Sequence, residues 1–63
     1  MREYVVGYFN NVATKDDFVI LATMDSNSVA MFVRDSFNEV GIATPAVMLH
    51  KSEVPKKYRF SEM

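Results

Sequence analysis

The stretch DSNSVAMFVRDSFNEVG, Asp25 to Gly41, decides the fold. Its first four residues, Asp25, Ser26, Asn27 and Ser28, are all of the type whose side-chain oxygen caps the free N–H groups that open a helix. Val29, Phe32, Val33, Ser36, Phe37 and Val40 then follow the i, i+3, i+4, i+7, i+8, i+11 spacing of one helical face. At roughly 100° per residue they fall within an arc of about 140°, a width suited to packing on a sheet. Met31, Arg34, Asp35 and Asn38 take the far side. Gly41 stands one position past the last apolar residue, where a left-handed backbone ends a helix without a Cβ clash. The spacing predicts a core-facing helix.

Strand signals flank it. Glu3 to Phe9 is rich in aromatic and β-branched residues, and Gly7 within it marks a bulge or a close backbone approach. Asn10 to Asp17 is turn-rich, and Phe18 to Met24 is a second strand that pairs with the first as an antiparallel hairpin. After the helix, Pro45 holds Thr44 out of helical angles, and Ala46 to His50 fits a third strand. Residues 51–63 are read either as a turn and a fourth, edge strand or as a tail that orders on a partner. The expected fold class is α+β: a small three- or four-stranded antiparallel-type sheet, β-β-α-β with a possible final β, and one helix on one face.

At 63 residues the chain makes one small domain, residues 1–63. It has no cysteine and one histidine, so neither a disulfide framework nor a zinc site is expected. The composition, 49% hydrophobic and 24% charged, is that of a folding chain rather than a disordered one. No apolar run approaches the roughly 20 residues of a membrane span, and no secretory signal pattern opens the chain. A cytoplasmic protein is expected, in the host cytoplasm if phage-encoded.

Charge is unevenly placed. Residues 1–50 carry three bases against six acids, whereas residues 51–63 carry Lys51, Lys56, Lys57 and Arg59 against Glu53 and Glu62. One helix covers one sheet face only, yet both strands of the hairpin are apolar on both faces. The second face is therefore expected to be open and to bind. Tyr4, Val6 and Tyr8 are its expected anchors, Met31 an exposed contact on the helix, and Lys56, Lys57, Tyr58, Arg59 and Phe60 the basic-aromatic rim.

Catalytic signals are few. His50 reads as a strand-terminal histidine, and Asp16, Asp17 and Asp25 flank the second strand at opposite ends, too far apart for one metal. No phosphate loop or nucleophile elbow is present, and no catalytic residue, metal or cofactor is expected. The functional expectation is a non-enzymatic protein-binding module. The profile of a short, cysteine-free chain suits a phage or mobile-element accessory protein that inhibits a host protein by occlusion. The alternative is a small nucleic-acid-binding protein that uses the sheet tyrosines and the C-terminal rings for stacking and its cations for phosphates. The net charge of −1 weighs against that alternative. A homodimer, sheet to sheet or edge to edge, is compatible with either.

Overall fold

A computed structural model of the chain describes residues 2–41 and 44–61. Its elements run β1 (Tyr4–Asn11), β2 (Asp16–Met24), α1 (Asn27–Val40), β3 (Val47–His50), a 3-10 turn (Lys51–Glu53) and β4 (Tyr58–Phe60). The strands form one sheet in the order β3-β1-β2-β4. The α+β class is as expected, but the sheet is mixed. β1 pairs antiparallel with β2 and β3, whereas β4 runs parallel to β2. Glu62 and Met63, the end of the expected 51–63 segment, lie outside the described residues.

The helix ends where its sequence says. Ser26, extended at φ −107°, accepts from the Val29 N–H at 3.3 Å, and Gly41 closes the helix at φ 87°. Which face the helix buries differs from the expectation. Ala30 is fully buried, with Val33 and Phe37 half-buried beside it, while Val29, Phe32 and Val40 are 49%, 73% and 81% exposed. The inward face is thus turned by about 60° toward Ala30, one helical residue being worth roughly 100°. Asn38 fixes that rotation. Its side chain accepts from the Ala46 N–H at 2.7 Å and donates to the Ala46 carbonyl at 3.2 Å. This clamps the helix to the chain entering β3 by a flank that the stripe assigned to the outside.

Gly7 meets both expectations set for it. The β1–β2 register shifts between Val6 and Gly7, so that Leu21 has no partner on β1. A Cβ at Gly7 would lie 2.9 Å from the Phe18 ring and well inside contact distance of the Val19 carbonyl oxygen. The bulge flips the phase of β2. Leu21, Ala22 and Met24 pack on the helix side with Val6 and Ala46, whereas Phe18 and Ile20 join Val5 on the opposite side. Strict alternation would place Phe18, Ile20, Ala22 and Met24 on one face.

The second sheet face is not open. Val5 and Phe18 are 0% exposed and Ile20 1%, with Phe9, Val47, Leu49 and Val54 packed against them. The cover is the chain itself. β3 and β4 lie at opposite edges, so residues 51–57 must cross beneath β1 and β2, carrying Val54 onto the apolar face. This corrects the expectation of an uncovered face, and the topology supplies the reason. A hairpin-joined fourth strand would have left that face bare; a parallel β4 at the far edge forces a crossover. The crossing spans roughly 14 Å across three strand spacings and about 17 Å along them, a diagonal of roughly 22 Å. The steps from His50 to Tyr58 reach about 26 Å when extended, so the strap has little slack.

Its ends are tied. Ser52 N–H donates to His50 Nδ1 at 3.3 Å, and the His50 N–H donates to Glu53 Oε1 at 3.0 Å. The Lys51 N–H donates to the Glu3 carbonyl at 2.8 Å, and the Phe18 N–H to the Lys57 carbonyl at 3.1 Å. His50 is therefore a strand-terminal residue that caps the start of the strap, with its ring edge-on to Tyr4 at 5.6 Å.

Candidate functional site

The residues singled out from sequence are distributed over three environments. Val6 is fully buried beneath α1, and Tyr4 is half-buried against the same cluster. Val6 therefore has no surface to offer a partner: the face expected to be open is the one the helix covers. Met31 is 42% exposed on the outer side of α1, away from the rest.

Tyr8 and the C-terminal segment, by contrast, are brought together. Tyr8 pairs with Val19, and Val19 pairs with Arg59 in the parallel β2–β4 ladder, so the three stand in a row on one side of the sheet. With Phe60 and Ser61 they line a concavity of about 410 Å³. Tyr58 and Phe60, alternate residues of β4, bring their rings edge to face at 6.1 Å. They remain 43% and 60% exposed. The parallel ladder holds this short strand in place: β4 lies against Phe18, Val19 and Ile20, and the Ser61 N–H donates to the Ile20 carbonyl at 2.8 Å.

The C-terminal segment carries the cations of this surface, next to Asp16 and Asp17 at the start of β2. Lys56, Lys57 and Arg59 are exposed. Among the described residues the one ion pair joins Arg34 to Asp35 on the helix at 3.0 Å, so these three cations are unpaired there. The arrangement is an edge strand with two exposed rings, Arg59 among the residues that line the concavity, and two lysines just ahead of the strand.

A second exposed surface lies on α1 and was not expected. Val29, Phe32 and Val40 form a ridge outside the core, and Phe32, Val33, Ser36, Phe37 and Val40 surround a hollow of about 350 Å³. The Ser36 hydroxyl donates to the Phe32 carbonyl at 2.9 Å, so the polar group in this stripe is used within the helix. The sequence did carry a signal for it. The stripe omits Ala30, the small residue that allows closest approach and is the one helix residue fully buried.

No three His, Cys, Asp or Glu side chains group together among the described residues. Asp16 and Asp17 are used locally: the Asp17 N–H donates to Asp16 Oδ1 at 2.8 Å, and Asn10 donates to Asp17 at 2.9 Å. Asp25 accepts from the Glu3 N–H at 3.4 Å. No helix among the described residues is long and apolar enough to cross a membrane.

No family model, curated protein or solved structure matches this chain.

Proposed function

We propose that this chain is a non-catalytic protein-binding module that docks an acidic protein surface through the β4 edge and the Tyr8–Arg59 concavity. The observation that supports this reading is the exposure of Tyr58 and Phe60, at 43% and 60%, on an edge strand with Lys56, Lys57 and Arg59, none of which forms an ion pair among the described residues. Large rings left in water beside charges are the composition of an interface anchor and its rim. The rings supply the desolvated area, while Lys56, Lys57 and Arg59 set orientation and association rate toward a surface of opposite sign. Docking alone would act on the partner by covering the surface it binds, so inhibition by occlusion is the mode this reading implies.

A second reading has support in the same residues. Rings with interleaved cations also suit single-stranded nucleic acid, with bases on the rings and phosphates on the cations. The two part in a titration of isotope-labelled chain, followed by amide shifts, with a Glu-rich peptide containing apolar residues and separately with a short single-stranded oligonucleotide. The protein-binding reading expects the peptide to shift Tyr8 and residues 57–61, and Lys57→Glu or Tyr58→Ala to remove those shifts. Shifts by the oligonucleotide alone, with affinity falling steeply as salt rises, would favour the second reading. No shift with either probe, or shifts confined to other elements, would overturn both.

A further inference from the structure

We infer that the outward ridge of α1 pairs with the same ridge of a second copy of this chain, the two helices antiparallel about a two-fold axis. The ridge is self-complementary. Val33, Ser36, Phe37 and Val40 stand at i, i+3, i+4 and i+7, the four positions that form a hole for a side chain of a facing helix. Because Ser36 is small, the hollow they form with Phe32 measures about 350 Å³. The knob lies on the same face: Phe32, 73% exposed, stands one turn before Ser36.

A face that carries both knob and hole is what an isologous contact requires, since each copy fills the other. Counting along two antiparallel helices with the axis between residues 34 and 35, Val29 meets the partner's Val40. Phe32 meets the partner's Phe37, and Val33 meets the partner's Ser36. One register therefore satisfies every exposed apolar residue of the ridge.

Charge agrees with this pairing. The first turn of α1 holds no acidic residue and its last turn no basic one, so beyond the Ser26 cap no charged side chain within those turns offsets the partial charges of the helix ends. The antiparallel register brings Glu39, on the flank of the ridge, level with the partner's Ala30 in the first turn, beside the positive helix end. Opposed helix dipoles are favourable in the same arrangement. The β4 edge takes no part, so both copies keep it free.

The area sets the strength. One face of a 14-residue helix, roughly 21 Å by 10 Å, falls short of the roughly 800 Å² per partner of a standard interface. Pairing is therefore weak, populated at roughly 100 µM and above.

Light scattering or sedimentation from about 10 µM to 1 mM reads it directly. The expected mass rises from one chain, 7.2 kDa, toward twice that value. Phe32→Ala removes the knob and holds the mass at one chain. Ser36→Leu separates a specific fit from general stickiness: it adds apolar surface but fills the hole, so association weakens. The register has its own readout, because the chain has no cysteine. Mixed Val29→Cys and Val40→Cys chains, oxidised together, should cross-link to each other in preference to themselves. A mass that stays at one chain up to 1 mM, tighter association in Ser36→Leu, or Val29→Cys cross-linking to itself as readily as to Val40→Cys would each overturn the proposal.

Discussion

Replacing Phe32 and Ala30 in turn separates two placements of the helix. If the hydrophobic stripe faced the sheet as its spacing suggests, Phe32 would be core, and Phe32→Ala would cost about 3–5 kcal/mol. In the structure Phe32 keeps only about a quarter of its surface covered. For a ring that buries roughly 200 Å² at most, that is about 50 Å², or about 1.3 kcal/mol at 25 cal/mol per Å². Alanine returns about 0.5 kcal/mol in helix propensity. The net loss should stay under about 1 kcal/mol. Ala30 behaves oppositely. It is 0% exposed and packed among Val6, Met24 and Ala46, so Ala30→Leu forces three extra carbons into a filled space. Overpacking of that kind costs about 1–3 kcal/mol, a large share of the few kcal/mol a domain of this size possesses. Thermal unfolding followed by circular dichroism at a few micromolar, below self-association, should show Ala30→Leu lowering the midpoint by about 5–20 °C. Phe32→Ala should lower it by about 5 °C or less. The reverse order would refute the observed rotation of α1 and with it the exposed ridge.

Other outcomes follow from the same geometry. Gly7→Ala should destabilise by about 1–3 kcal/mol in urea titration, because its Cβ meets a backbone carbonyl and the Phe18 ring rather than a movable chain end. Gly41→Ala should cost about 1 kcal/mol from backbone strain alone, since the space around its Cβ is empty while φ is 87°. Removing one residue from 54–57 should lower stability more than inserting one glycine there, because the strap is near its full reach; equal effects in the same titration would show slack. Arg59→Glu should abolish any peptide-induced shift at Tyr8 while leaving the melting midpoint within about 2 °C, because Arg59 is exposed and forms no ion pair among the described residues.

Much of the architecture was legible because it is written in local chemistry. Ser26 and Gly41 bound the helix through groups that act within one turn, and Gly7 signalled its bulge by lacking a Cβ. What local pattern did not carry was which residues meet. The stripe from Val29 to Val40 defines an amphipathic helix, but the rotation was decided by the Asn38–Ala46 bonds and by the small volume of Ala30. The bulge at Leu21 reversed the facing of Phe18 and Ile20, which no alternation rule reports. The larger error came from β4. Read as a strand that continues an antiparallel sheet, it leaves a face bare; placed parallel beside β2, it draws Val54 across that face and seals it. The candidate site was half legible for the same reason. Lys56 to Phe60 stand out as a basic-aromatic run, and Tyr8 joins them only through the β1–β2–β4 register.

Residues 51–60 complete the fold rather than trail from it, with Val54 on the second sheet face and β4 along β2. A chain ending at His50, compared with the full chain by far-ultraviolet circular dichroism, urea titration and binding of a hydrophobic dye, tests it most directly. With Val5, Phe18 and Ile20 stripped of their cover and β2 left as an edge, the shortened chain should lose its cooperative transition, bind dye and aggregate. A shortened chain that unfolds cooperatively at the full chain's midpoint, free of dye, would show that the strap and β4 are dispensable to the core.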